Sequence, residues 1–313
     1  MRRACTEMRI IMRIIENTTD FRLEGRSAVA IGKFDGIHMG HRKLLEEIVE
    51  QKKKGLLATA FTFDLSAGAF FGGDSKELST KWEKRELFER MGVDILIEFP
   101  LNHETAATEP EEFIEKYLAG QMRAAYICAG ADVSFGKRGA GNYELLKQYA
   151  QTYDYRIEII DKVMVDGQEV SSTRIREAVR EGEMELAHRM LGEPYSVSGQ
   201  VEHGRRLGRT IGMPTANLLP PGEKLLPPNG VYYSRVLCGD QCYKSISNVG
   251  YKPTVSEQKQ MGVETYLYDF AEDIYGSRIK VELLAFRRPE RKFGSVEELK
   301  AQMEQDIEAG KYY

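Results

Sequence analysis

Two histidines three residues apart, His38 and His41, lie in the string GKFDGIHMGH at residues 32–41, directly after an apolar run. A Gly-rich turn that feeds a helix offers an anion unpaired backbone N–H groups and the positive end of the helix dipole. Its glycines let a phosphate approach the main chain. Imidazoles at that point donate hydrogen bonds to phosphate oxygens as charge grows in a transition state. The plainer alternative is a strand-to-helix turn with solvated histidines, but the H-x-G-H spacing at such a junction favours phosphate chemistry. A second segment, GQEVSSTRIR at residues 167–176, opens another helix. Its Ser171, Ser172, Thr173 and Arg176 suit a polyphosphate, although Ser-Ser-Thr taken alone is an N-cap cluster. In GADVSFG, residues 130–136, Asp132 follows a predicted strand and is either a ribose or flavin contact or a turn residue.

A different chemistry is written further along. In HGRRLGRTIGMPTANL, residues 203–218, Gly204, Gly208 and Gly212 recur at every fourth position, which lets a loop fold over phosphates. Thr215 and Asn217 are two residues apart, hence on one side of an extended chain, and offer hard oxygen donors suited to Mg²⁺. The alternative is a Gly/Pro-rich barrel loop. No GxxxxGK[ST] string occurs, so a kinase here is not of the P-loop type. Downstream, Glu264 alternates with Tyr266 and Tyr268 along a predicted strand; a carboxylate beside a phosphoryl donor can take the proton of an attacking hydroxyl. Asn248 and the run RPERKF at residues 288–293 are candidates for an acceptor pocket.

The elements that must position these residues fall into two sets. Strands are expected over Ala28–Gly32, Leu57–Phe63, Ile95–Pro100, Ala125–Gly130 and Arg156–Asp161. Helices are expected after His41 and over Lys81–Met91, Pro110–Ala119, Tyr143–Gln151 and Thr173–Leu191. Leu44, Leu45, Ile48 and Val49 recur on one helix face, and Lys52-Lys53-Lys54-Gly55 reads as a helix end. This alternation predicts a parallel sheet covered on both faces, with its ligand beyond the carboxyl ends of the strands. After Leu191, Gly192-Glu193-Pro194 breaks the helix, and short strands follow over Tyr195–His203, Val231–Leu237, Cys242–Asn248, Val263–Asp269 and Ile279–Phe286, then a helix near Ser295–Ala309. That pattern predicts a small antiparallel barrel with a domain boundary near residue 193.

At 313 residues, with 42% hydrophobic and 29% charged residues, the chain is long enough for two packed domains and is not of disordered type. With 44 basic against 48 acidic residues its net charge is -4, which argues against a general nucleic-acid binder. No apolar stretch is long enough to span a membrane. The basic start lacks the core of a secretory signal, and Met8 and Met12 are alternative translation starts. Four cysteines make no disulfide framework. Cys5 and Cys128 stand alone, and Cys238 and Cys242 are better read as strand residues flanking a Gly-Asp turn than as zinc ligands. A reduced cytoplasmic protein is expected.

From about Met12 to the C-terminus the order of these motifs resembles the bacterial bifunctional riboflavin kinase/FAD synthetase family. The resemblance implies an N-terminal doubly wound, parallel-sheet nucleotidyltransferase domain of HxGH type (1–192). It implies a small antiparallel β-barrel kinase domain with a C-terminal helix after it (193–313). It implies that riboflavin and ATP give FMN, and FMN and a second ATP give FAD and pyrophosphate, with Mg²⁺. Carried across, His38 and His41 contact ATP phosphates with Ser171, Ser172, Thr173 and Arg176 helping, and Gly32, Phe34, Asp35, Gly36, Asp64, Gly130 and Asp132 complete that nucleotide site. In the kinase half Gly204, Gly208, Gly212, Thr215 and Asn217 hold Mg-ATP, Glu264 is the base, and Asn248, Arg291 and Phe293 meet the flavin. One stretch departs from the family. After the second strand the family reads phenylalanine, an acidic or amide residue, then Pro-His-Pro, whereas this chain reads Phe63-Asp64-Leu65-Ser66-Ala67. A kinase whose adenylyltransferase half is slow or redirected, and a non-catalytic flavin or nucleotide sensor, are the competing readings.

Overall fold

The structure is a computed structural model and describes residues 11–313 apart from 66, 67, 69, 71, 73, 74, 205–207, 209–211 and 254–258. Cys5, Met8, the Ser66-Ala67 turn and the arginines of the GRRLGRT string lie outside the described residues. Among those described, the chain packs as two compact units, Met1–Val170 and Ser171–Tyr313.

The first unit is built on six parallel strands: β1 (Arg13–Glu16), β2 (Ser27–Ile31), β3 (Leu57–Phe63), β4 (Ile95–Phe99), β5 (Ala124–Gly130) and β6 (Arg156–Ile160). Their order is β1-β4-β3-β2-β5-β6. β2 and β4 are buried at every position, because helices cover both faces, so these strands read as unbroken apolar runs. On one face Ala28, Ala30, Ala58 and Ala60 let Leu44, Leu45 and Ile48 of helix α1 (Met39–Glu50) sit close. On the other, Val29, Ile31, Phe61 and Ile97 meet Phe113, Ile114, Tyr117 and Leu118. Those four belong to α3, a short α-turn (Pro110–Glu112) that continues as a π-helix (Phe113–Gln121) where an ordinary helix was expected. Helix α2 (Lys81–Arg90) starts at a Thr80 capping box, and α4 spans Tyr143–Tyr149. A small hairpin, β7 (Met164–Val165) and β8 (Gln168–Glu169), ends the unit. The strand order reverses between β2 and β5, so the crevice where a doubly wound sheet binds its ligand lies beyond their carboxyl ends.

The second unit begins with α5 (Ser172–Glu181) and α6 (Met184–Leu191), which sequence periodicity had fused into one helix; Gly182, at φ +79°, separates them. α6 packs on strands β9 (Tyr195–Gln200) and β14 (Arg278–Pro289). Packing therefore divides the chain at Val170/Ser171, ahead of the break near residue 193 expected from the Gly192-Glu193-Pro194 stop. The remaining strands are β10 (Ala216–Leu218), β11 (Gly230–Cys238), β12 (Gln241–Pro253) and β13 (Lys259–Leu267). They pair antiparallel in the order β10-β13-β12-β11-β14-β9, and a Glu202–Asn217 bridge joins the two edges into a barrel. Val197, Val236, Val249, Val263, Val281 and Leu283 are buried. A buried ladder of hydroxyls, Ser245–Ser234–Ser247–Thr265, is spaced at 2.7–2.8 Å. Helix α7 (Val296–Gly310) lies against the barrel, tied by Tyr268, whose hydroxyl donates to the Ile307 carbonyl at 2.5 Å. Cys238 and Cys242 flank the β11–β12 turn as expected. Cys238 pairs with Gln241 and Cys242 with Leu237, so their side chains project to opposite faces and cannot share a metal.

Candidate active sites

At the mouth of the first sheet, β2 runs into the GKFDGIHMGH turn, where Phe34, Gly36 and Ile37 all hold positive φ (50°, 81° and 40°). Two of these are bulky residues in a costly conformation, the kind of local strain that surrounding packing must sustain. Phe34 is fully buried, 5.2 Å edge-on to Phe88 and 5.0 Å from the His41 ring. Asp35 Oδ1 accepts from the Leu78 and Ser79 amides at 2.9 and 3.4 Å, pinning the turn to the start of α2. These two residues of the motif therefore support the histidines from behind.

His38 is the N-cap of α1, and its Nδ1 accepts a long hydrogen bond (3.4 Å) from the His41 amide. An accepting Nδ1 leaves the proton of the neutral ring on Nε2. The His38 and His41 rings stack at 3.8 Å. Burial pushes His38 down to about 4 despite the attraction of Asp132. Burial, reinforced by His38, holds His41 well below the usual histidine range. The His41 Nδ1 is enclosed and lacks a hydrogen-bond partner among the described residues. Gly40 lies so close that a Cβ there would come within 3.2 Å of the His38 ring. Both imidazoles are thus neutral at pH 7 and held ready at a helix start.

Around this pair, Gly32 ends β2 against the Phe34 ring and Gly130 ends β5 against Asp132. The Asp132 carboxylate meets Lys162 at 3.7 Å, and Lys162 also reaches Glu169 at 2.6 Å, a cation that the sequence motifs did not mark. Asp64 Oδ1 accepts from the Leu101 amide at 2.8 Å, so the residue retained from the altered loop ties the ends of β3 and β4 together. Ser171, Ser172, Thr173 and Arg176 lie in the second unit. Ser171 caps α5 through its hydroxyl, which accepts from the Arg174 amide at 3.3 Å, and Ile175 anchors that helix.

The barrel gathers the other set. Asn217, Glu264 and Asn248 are register partners on the adjacent strands β10, β13 and β12, so their side chains share one face in a single row. Thr215 Oγ1 donates to Glu264 Oε1 at 2.7 Å. Gly204 and Gly208 are required sterically. A Cβ at Gly204 would lie 2.5 Å from the Asn217 amide, and one at Gly208 would lie 2.2 Å from the Met213 carbonyl. Gly212 takes a turn at φ +78°. Two cavities meet at Thr215. One, of about 290 Å³, has Glu264, Asn248, Arg288, Arg291 and Phe293 in its wall and α7 along one side. The other, of about 430 Å³, is walled by Pro214, Ala216, Leu267, Phe270 and Tyr275. The Arg291 guanidinium sits 4.8 Å over the Phe293 ring. Arg288 opens the RPERKF run read from the sequence as acceptor-pocket lining. Asp306 of α7, which lines the same cavity, carries no mark in the sequence and looks there like any helical acid.

Comparison with known proteins agrees with this division. A FAD synthetase family model matches residues 21–174 and a riboflavin kinase model matches 191–313. The bifunctional riboflavin kinase/FMN adenylyltransferase of Bacillus subtilis is 35% identical over 93% of each chain. That of Listeria monocytogenes is 34% identical over 92% of this chain and 93% of its own, and that of Escherichia coli K12 34% over 95% of each. The chain belongs to the bifunctional riboflavin kinase/FMN adenylyltransferase family. It is accordingly an ATP-using enzyme of flavin cofactor biosynthesis, with a domain for each activity. A crystal structure described as a macrolide-efflux protein from Streptococcus pneumoniae superposes with a TM-score of 0.85 at 32% identity, covering 97% of this chain and all of that one. No helix among the described residues is long and apolar enough to cross a membrane.

Proposed function

We propose that the barrel transfers the γ-phosphoryl group of ATP to riboflavin at the junction of its two cavities. The turn that holds His38 and His41, in turn, serves adenylyl transfer from ATP to FMN. The observation that carries the first assignment is the Thr215–Glu264 hydrogen bond where the cavities meet. The smaller cavity takes the flavin and the larger the nucleotide. Glu264 accepts the proton of the ribityl 5′-hydroxyl as that oxygen bonds to the γ-phosphorus; the bond to the bridging oxygen breaks and ADP leaves. Thr215 and Asn217 offer a hydroxyl and an amide oxygen. No cluster of three or more His, Cys, Asp or Glu side chains is present among the described residues. This donor set fits Mg²⁺ held jointly by protein oxygens, phosphates and water. When bound, Mg²⁺ neutralises phosphate charge. Asn248 orients the acceptor beside Glu264, with Arg291 and Phe293 as its outer wall.

In the adenylyl step a phosphate oxygen of FMN attacks the α-phosphorus, the bond to the β-phosphoryl oxygen breaks, and pyrophosphate leaves. The His38 Nε2–H donates to the phosphate oxygens, and the approaching anion favours its protonation. On sequence pattern, Ser171, Ser172, Thr173 and Arg176 are nucleotide-binding residues of this activity, and the functional division is placed at 192/193. Asp132 serves the ribose or flavin of this step. A reducing cytoplasm suits a chain with free Cys128, Cys238 and Cys242. The test is chromatography of products from riboflavin, ATP and Mg²⁺. FMN and then FAD are expected; FMN alone would sink the adenylyltransferase assignment, and no FMN the kinase assignment.

A further inference from the structure

The row of register partners that carries Glu264 does not stop at Asn248. It continues through Val231 of β11 to Arg288 of β14, and these four residues line the same 290 Å³ cavity. Three strand spacings separate Glu264 from Arg288, about 14 Å along the sheet. Arg288 is held by Asp306 of α7: its Nη2 donates to Oδ2 at 2.6 Å and its Nε to both oxygens at 3.0 and 3.2 Å. Its Nη1 donates to the Pro289 carbonyl at 3.0 Å. Asp306 also accepts from Arg287 Nε at 2.8 Å and Gln302 Nε2 at 3.1 Å. Only 3% of Asp306 is exposed. Burial alone would raise its pKa, but the hydrogen bonds from Arg288 and Arg287 outweigh this and keep it below the usual carboxylate range.

A guanidinium bound on one edge by a carboxylate and on another by a carbonyl has few hydrogen bonds left to give. What it presents is a rigid flat face with a delocalised charge, which stacks on aromatic rings better than an ammonium does. At the far end of the cavity Arg288 and Arg291 face Asp306 and Glu290, so the guanidinium charge there is matched by carboxylates. We propose that Arg288, locked by Asp306, is the platform that recognises the acceptor's fused ring. Its fixed distance from Glu264 then selects acceptors in which a polyhydroxylated arm places the reacting hydroxyl one arm's length from such a ring. Asp306 is a positioning residue: it touches the acceptor's site through Arg288. The inference rests on reading this cavity as the flavin pocket.

The test is steady-state phosphorylation of riboflavin by the full chain at saturating Mg-ATP, with FMN-to-FAD conversion measured on the same preparations. Arg288→Lys keeps a cation opposite Asp306, and so keeps α7 docked, but lacks the planar fork. It is expected to raise KM for riboflavin roughly tenfold with kcat and the KM for ATP within about twofold. Asp306→Asn is expected to do the same, and Asp306→Glu to recover part of the loss. Preference for riboflavin over a ribityl acceptor with a smaller, two-ring system is expected to shrink in Arg288→Lys. If the wild-type chain makes no FMN at all, the reading of the pocket fails. If it makes FMN but Arg288→Lys leaves both the riboflavin KM and the ring preference unchanged, the platform is refuted. An equal rise in the ATP KM would likewise refute it, by showing a merely structural role.

Discussion

Replacing Glu264 with glutamine isolates the proton acceptor from everything else the residue does. The side chain keeps its length, and its amide oxygen still accepts from the Thr215 hydroxyl, a contact of 2.7 Å. Asn217 and Asn248 remain its register neighbours, so the row across β10, β13 and β12 is retained. What disappears is a basic oxygen at the junction of the two cavities. A positioned general base is worth about 10²–10⁴-fold in rate, which is about 3–5 kcal/mol of transition-state stabilisation. Little of this belongs to ground-state binding, so KM for ATP and riboflavin is expected to move by less than about threefold while kcat falls by two orders of magnitude or more. Chromatographic separation of riboflavin, FMN and FAD reads both steps at once. With riboflavin as substrate, FMN formation collapses. With FMN supplied, FAD formation continues at the wild-type rate. A Glu264→Gln enzyme that phosphorylated riboflavin within about threefold of wild type would refute the base assignment. Equal loss of both activities would refute the claim that each has its own site.

Three further outcomes follow from the packing. Gly208→Ala forces a Cβ to within 2.2 Å of a backbone oxygen; the kinase is expected to lose at least tenfold in kcat/KM for ATP while FAD formation from FMN is kept, as measured by initial rates. Arg85→Ala removes the hydrogen bonds that Glu98 accepts from Arg85, leaving a carboxylate that is only 4% exposed to share Lys81 with Glu16. A loss of about 3 kcal/mol is expected in denaturant melts of the first unit, read by fluorescence of the sole tryptophan, Trp82 in α2. His38, held at about 4 when folded against about 6.5 unfolded, is protonated more readily in the unfolded chain. Stability is therefore complete above pH 6.5 and falls as the pH drops toward 4, by about 2 kcal/mol between pH 7 and pH 5. Acid denaturation of His38→Asn should be flatter through that window, and an identical pH slope would contradict the neutral, buried imidazole.

Much of this architecture can be read from the residues. β3 runs over Leu57–Phe63, as its apolar run predicts; β2 is shifted by one residue, and β4, β5 and β6 each differ by one residue at one end. The covered strands β2 to β5 are legible because they leave a nearly unbroken apolar signal, and the half-exposed edge strand β6 through its Ile residues. β1 escaped notice: four residues, Arg13–Glu16, on a sheet edge inside a basic segment carry too little pattern. In place of the single helix expected over Thr173–Leu191 there are two, because the left-handed conformation of Gly182 stops one helix and turns the chain into the next. Among the candidate site residues, His38, His41, Thr215, Asn217 and Glu264 are named by the sequence because the chemistry proposed for them depends on local spacing. The common row of Asn217, Glu264 and Asn248 could not be seen, since register between strands about 16 and 47 residues apart is decided by tertiary pairing. Arg288 is legible as part of the RPERKF run, but its pairing with Asp306 of α7 is not, for the same reason. Phe34 and Asp35 were legible as part of a nucleotide motif, yet their work is to pack and anchor the strained turn behind the histidines.

Binding stoichiometry tests the central claim most directly. Titration calorimetry with a non-hydrolysable ATP analogue and Mg²⁺ should find two nucleotides per chain in the wild type. One of these should be lost in Gly208→Ala, and the other when His38 and His41 are both replaced by alanine. A single site in the wild type, or both sites abolished by either change, would contradict the existence of two separate triphosphate pockets in one polypeptide.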